Sequence, residues 1–233
     1  MTASAEERPQ TRVPLNRERV LRTAIEMADD DRIETVTMRS LARRLGVEAM
    51  SLYHHVENKS ALLDGMVDLV IREIIEEVAA VESPEPEDDW KTVMRERILA
   101  ARRVLLRHPW APQVIEQRSM MSPTIVLYFE GALEILRRGG FSNDLAHHAL
   151  HALGSRALGF TQELFQPADA GDEEAAGEML AEMGPKLPYL MGMLAEIAHD
   201  DPDSTLGWCD DQAEFEFGLD LLPDGIEQLN GRQ

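Results

Sequence analysis

The chain has 233 residues, enough for one large core or for a small and a medium one. Hydrophobic residues make up 44% and charged residues 28%, which excludes a fibrous or wholly disordered polymer and fits a globular protein. The net charge of -20 argues against a nucleic-acid partner only until it is divided: residues 1–65 hold 10 Lys+Arg and 11 Asp+Glu, and the remainder carries almost all the surplus acid. An acidic body repels phosphate and leaves the near-neutral, Arg-rich end as the side of approach. Acidity that serves only solubility is the competing explanation. Cys209 is the single cysteine, so no intrachain disulfide can form and a reducing cytoplasm fits. No apolar run approaches the roughly 18 residues of a membrane helix, and MTASAEERPQTR lacks a signal-peptide core. A cytoplasmic protein with no membrane partner is expected.

In chain order, residues 1–14 are polar and carry two prolines, and are expected to be a disordered tail. A helix is expected over 17–30, capped by Asn16, with Val20, Leu21, Ala24, Ile25 and Ala28 as its apolar stripe. Thr37 to Lys59 then reads as two short helices about a turn at Gly46. Thr37 caps the first, which carries Leu41, Ala42 and Leu45. The second opens near Glu48, keeps Leu52 and Val56 inward, and shows Ser51, Tyr53, His54 and His55. A second helix rich in hydrogen-bonding side chains after a glycine turn is the layout of a helix-turn-helix, whose second helix reads a DNA major groove.

Asn58 caps a long helix over 59–81 whose apolar positions cover more than one stripe, so it should pack on two sides. ESPEPEDD (82–89) is acidic, carries two prolines and is expected to be a loop. Helices follow over 90–107, 124–138, 144–166, 188–199 and 211–229. His108-Pro109, Ser122-Pro123 and Gly139-Gly140 act as breakers, and the acidic segment 167–179 and DDPDSTLG (200–207) as loops. Pro223 should kink the last helix. No segment alternates as a strand does, so the fold class is all-α. An N-terminal three-helix helix-turn-helix domain (15–65) is joined by a long helix to a larger helical domain (66–233) that binds effector and dimerises.

The segment RVLRTAIEMADDDRIETVTMRSLARRLGVEAMSLYHHVENKSALLDGMVDLV resembles the DNA-binding domain of TetR-family repressors, in its LARRLGV turn, its L-Y-x-H-V recognition helix and its N-K-x-x-L-L-D entry to the next helix. HHALHALGSRALGFTQELF and EFEFGLDLLPDGIEQL resemble the two C-terminal helices of the tetracycline-repressor subgroup. The resemblance spans about residues 15–230 and implies a homodimer on double-stranded operator DNA, released by a small-molecule effector. The alternative is a TetR-like small-molecule binding protein or activator without classical repression.

By the same resemblance, Thr37 and Arg39 contact phosphate or a flanking base, Lys59 adds its charge at a phosphate, and Ala49, Met50, Ser51, Tyr53, His54 and His55 lie on the recognition helix. Ser51 and Tyr53 can donate to phosphate or a base edge, and Met50 suits a thymine methyl. Ala49 stands where the tetracycline repressors carry a base-reading amide, so their operator is not carried over.

The expected effector cavity is lined by Ile75, Arg97, Ala101, Val104, Leu105 and Trp110. Val114, Gln117, Arg118, Met121, Tyr128 and Phe160 complete it. By the resemblance, Ile75 matches the first of the subgroup's two metal-linked histidines and the second falls near Val114, while Arg97 and Ala101 take the places of an amide and an aromatic. A magnesium–tetracycline complex would lose its ligands here. A mostly apolar molecule with an acid or carbonyl group is expected instead, with no resident cofactor.

His147, His148 and His151 have spacing that can hold zinc, but no acidic or cysteine partner is read at matching spacing, so no metal is expected. No glycine-rich phosphate loop, no H-E-x-x-H and no carboxylate–histidine metal set is present, and acidic neighbours in WCDD disfavour a Cys209 thiolate. No catalytic residue is assigned and no enzyme is expected.

Overall fold

The computed structural model describes residues 14–117, 122–159, 182–197 and 211–231. Every regular element among them is helical, as the breaker spacing predicts. The helices are α1 (Arg17–Asp30), α2 (Met38–Leu45), α3 (Ala49–Leu52), α4 (Lys59–Ala79), α5 (Pro86–Arg107), α6 (Ala111–Glu116), α7 (Pro123–Arg138), α8 (Asn143–Gly159), α9 (Pro188–Ile197) and α10 (Asp211–Asn230). The chain divides into two compact units. One comprises residues 1–73 and 104–125, the other 74–103 and 126–233, and the three boundaries fall inside helices α4, α5 and α7.

In the first unit the helix starts are set by local chemistry. Asn16 Oδ1 accepts the Arg19 amide at 2.8 Å, and Asn58 Oδ1 accepts the Ala61 amide at 2.9 Å. Thr37 and Ser40 form a reciprocal capping box: Ser40 N–H donates to Thr37 Oγ1 at 3.1 Å, and Thr37 N–H to Ser40 Oγ at 2.9 Å. Val20, Leu21 and Ala24 of α1 are buried, as are Leu41 of α2, Leu52 of α3, and Leu62, Met66 and Val67 of α4. Ile25, expected in the α1 stripe, is only half-buried. Gly65 lets α4 come close to α1, since a Cβ there would meet Leu21 Cδ2 at 2.7 Å.

The second unit is built around Trp90, Met94 and Ile98 of α5, Ile135 and Leu136 of α7, Phe141, and the facing sides of α8 and α10. Trp90 and Phe141 meet edge-to-face with centroids 4.7 Å apart, and burying Phe141 fully contributes roughly 1.5–3 kcal/mol. Phe215, Leu219 and Ile226 are buried and Leu222 half-buried, forming the inner stripe of α10. A ladder of charges holds the register of α10 on α5: Lys91 pairs with Asp224 at 2.7 Å and with Glu227. Arg95 pairs with Asp220 at 2.7 Å and Glu216 at 2.6 Å. Such exposed pairs add only about 0–1 kcal/mol each, so they set alignment more than stability.

Several boundaries differ from expectation. Pro86–Asp88 are helical rather than loop, because proline at a first helical position forgoes no hydrogen bond and the acidic first turn suits the helix dipole. The break falls at Asp89 (φ -155, ψ 75), whose carboxylate then caps the remaining helix. Helix α4 ends at Ala79, two residues early. Its fully buried positions Leu62, Met66, Val67, Val70, Ile71 and Ile74 form one broad face, while Leu63, Leu69, Ile75 and Val78 are half-buried. Helix α10 runs on through the buried Pro223. The expected tail 1–13, the loops 167–179 and 200–207, Cys209 and the end of the 144–166 helix lie outside the described residues.

Candidate nucleic-acid interface and effector site

Gly46 makes the turn. Its φ of 70° is left-handed, its N–H reaches the Arg43 carbonyl at 3.2 Å, and the Val47 N–H reaches the Ala42 carbonyl at 3.0 Å. Buried Leu41 and Ala42 on one side and Leu52 and Val56 on the other pin α2 and α3 together. This fixes what faces out. Met50 is 73% exposed and Tyr53 44%, Arg39 and His54 are exposed, and Ala49, Ser51 and His55 are half-buried. The regular helix stops at Leu52, so Tyr53 is its C-cap and His54 and His55 sit in the following turn rather than on the helix. Thr37 and Lys59 are exposed at the first turns of α2 and α4, where free amides already favour an anion. All nine expected DNA-contacting residues belong to the first unit.

The expected effector residues divide between the units. In the first, Val104, Leu105, Trp110 and Val114 are buried core residues, and Gln117 is exposed at the end of α6. In the second, Ile75 is half-buried, Ala101 is buried, and Arg97 and Tyr128 are brought together. The Arg97 guanidinium lies 4.4 Å from the Tyr128 ring centroid, and its Nη2 donates to the Tyr128 carbonyl at 2.5 Å. Arg118, Met121 and Phe160 lie outside the described residues.

A polar cluster that sequence reasoning missed occupies the first unit. His108, only 8% exposed, sets Nδ1 2.9 Å from Asp29 Oδ1 and Nε2 3.2 Å from Glu73 Oε2. Trp110 donates its indole N–H to the same Asp29 oxygen at 2.7 Å, and Arg107 pairs with Glu73 at 2.6 Å. His108-Pro109 signalled only a helix end; the pairing with Asp29 spans 79 residues and leaves no local trace.

The histidines on α8 are exposed, with the His147 and His151 rings 4.7 Å apart. An acidic neighbour does stand at helical spacing, contrary to expectation: Asp144 lies 3.9 Å from His148 Nε2. Even so, among the described residues no three potential ligands gather as a metal site would need.

Residues 83–229 match the family model of the tetracyclin repressor-like C-terminal domain. Over 216 residues the chain is 30% identical to the class C tetracycline repressor protein of Escherichia coli, covering 92% of each. Apo ActR of Streptomyces coelicolor superposes with a TM-score of 0.73 at 26% identity, over 94% of this chain and 98% of that one. ActR solved in complex with actinorhodin matches with a TM-score of 0.66 at 26% identity, over 94% and 100%. With a helix-turn-helix at one end and that C-terminal domain over most of the remainder, the chain belongs to the TetR family of transcriptional regulators.

Proposed function

We propose that the chain is a homodimeric repressor that occupies a near-palindromic operator and leaves it when a small, mostly apolar effector binds. Residues 15–65 form the DNA-binding domain, and residues 66–233 bind effector and dimerise. Thr37, Arg39, Tyr53 and Lys59 hold the phosphate backbone, and Ala49, Met50, Ser51, His54 and His55 give the operator its sequence. The observation that carries this reading is the exposed Met50–Tyr53 edge on a helix-turn-helix whose first helix is closed by a capping box and whose Leu41, Ala42, Leu52 and Val56 are buried. Dimerisation through the 144–166 and 211–229 helices is supported by Phe217 and Leu221, one turn apart on α10 and 64% and 58% exposed. Two recognition helices would then stand about 34–36 Å apart, one DNA turn, or a multiple of it.

The effector is a different molecule from magnesium–tetracycline, because Ile75 and Val114 supply no metal ligand. It favours a conformation in which the half-site spacing fails, and so lowers operator affinity. Cytoplasmic location accords with the described helices, none of which is long and apolar enough to cross a membrane.

Selection of the full-length protein on a random double-stranded DNA library tests the reading. Recovery of a palindrome bound in a salt-sensitive way is expected. Recovery of no common sequence would sink the repressor and leave a small-molecule binding protein on the same scaffold. An activator would bind the palindrome and keep it when its effector is saturating.

A further inference from the structure

Arg97 is a half-buried cation that pairs with no carboxylate among the described residues. Its Nε is buried with no hydrogen-bond partner, and among the described residues no carboxylate lies within ion-pairing distance of its guanidinium. Glu134 acts on it only from farther off, and itself sits 3.4 Å from Arg138. What surrounds the group is a carbonyl and a ring face: Nη2 donates to the Tyr128 carbonyl at 2.5 Å and the guanidinium lies over the Tyr128 ring. Helix α7 also comes close. A Cβ added at Gly131 would stand 3.2 Å from both Nη1 and Nη2, so glycine leaves the head group its room.

Taking a guanidinium out of water costs free energy that an anion must offset, and burial draws the Arg97 pKa below the usual arginine value. The Tyr128 hydroxyl moves the other way, pushed up by burial, so it remains a neutral donor beside the cation. A half-buried guanidinium that meets a carbonyl and a ring face rather than a carboxylate is the pattern of a ligand anchor rather than of a stabilising contact.

We infer that Arg97, backed by Tyr128 and given space by Gly131, binds an acidic group of the effector, which makes that effector an aromatic or otherwise apolar acid. The inference rests on reading this chain as effector-responsive. A planar guanidinium offers paired N–H donors to a carboxylate or sulfonate, which a neutral molecule of the same shape cannot match. The protein's net charge of -20 sharpens the distinction, since an anion gains nothing from the body as a whole and must find one local cation.

The test uses two fluorescent probes on the full-length protein: 8-anilinonaphthalene-1-sulfonate and its uncharged counterpart N-phenyl-1-naphthylamine. Arg97→Met should weaken the sulfonate about tenfold or more, or about 1.4 kcal/mol, and shift the neutral probe by less than about twofold. Arg97→Lys should recover part of the loss, and Gly131→Ala, which crowds the guanidinium without removing it, should also weaken the sulfonate selectively. The thermal midpoint of Arg97→Met should hold or rise, because no internal ion pair is broken. Equal changes with both probes, or a fall in the midpoint with no change in probe preference, would overturn the inference. Operator binding of the same variants is measured separately and should match the parent protein. Failure to find an operator would count against the repressor, while the probe pair still decides what Arg97 does.

Discussion

His108 and Asp29 stand 2.9 Å apart and tie the junction between α5 and α6 to the last turn of α1. Trp110 fastens to the same carboxylate, and the far side of the His108 ring meets Glu73 of α4. Three stretches far apart in sequence are thus held within the first unit by one part-buried polar cluster, in which His108 and Trp110 are buried and the carboxylates reach solvent. Removing Asp29 leaves the N–H of the buried Trp110 and an imidazole nitrogen of the buried His108 without their partner. Asp29→Ala should therefore lower stability by about 1–3 kcal/mol, read from the urea midpoint at neutral pH. Trp110→Phe removes the donor and also the pyrrole part of a buried ring, so its effect adds lost packing to the lost hydrogen bond. Equal midpoints for Asp29→Ala and the parent would mean that water replaces this cluster without cost.

Acid should loosen the protein through carboxylates held in their charged form. At Asp89, hydrogen bonds from the Thr92 hydroxyl (2.6 Å) and amide (3.1 Å) hold the carboxyl below its ordinary pKa. At Glu73, burial pushes upward, but hydrogen bonds from Arg107 and His108 outweigh it and the net shift is downward. Depressed folded values mean the stabilisation is present above the ordinary carboxylate pKa and is lost as pH falls through the folded value. The urea midpoint should stay level from about pH 7 to about pH 5 and fall below about pH 4. Asp89→Asn keeps a capping oxygen but cannot titrate, so its fall should be shallower. Asp89→Ala removes the cap and should cost about 1 kcal/mol at neutral pH.

The contrast between these two sites shows what sequence can and cannot disclose. Asn16, Thr37, Gly46 and Asn58 were legible because each acts on a backbone group within a few residues of itself. Val20, Leu21, Ala24 and Ala28 were legible as the buried stripe of α1 because helical period alone puts them on one side. His108–Asp29 and Arg95–Glu216 were not, since their separations of 79 and 121 residues appear only once the helices have packed. The expected effector set was assembled by resemblance, and most of it in the first unit is buried core. Arg97 stands out only when its neighbours are seen to lack a carboxylate, a property of packing that no spacing rule expresses.

Gly46 offers a test of backbone geometry separated from packing. Nothing lies within 4 Å of a Cβ placed there, yet its φ of 70° is one that side-chain-bearing residues rarely adopt. Gly46→Ala should thus cost about 1–2 kcal/mol through strain alone, visible as a lower thermal midpoint. Gly46→Asn, better suited to the left-handed region, should recover part of it. A fully stable Gly46→Ala protein that loses operator binding would mean the turn relaxes and re-aims α3, which is a different failure from unfolding.

The DNA-reading edge separates affinity from preference. Lys59 is exposed at the first position of α4, where its charge adds to the free amides and, in the proposed complex, would meet phosphate whatever the sequence. Lys59→Ala should weaken binding to all sequences alike and reduce the slope of log affinity against log salt by about 1. Met50 is 73% exposed on the helix itself, carries no charge and can only sense the shape and methyl groups of the groove floor. Met50→Ala should leave the salt slope intact and change the ranking of operators that differ at one base pair. Fluorescence anisotropy on a selected operator and its single-base variants, at two salt concentrations, reads both effects. If Met50→Ala instead lowered every affinity equally, Met50 would be a packing contact against the backbone, and sequence preference would have to come from Ser51 and His54.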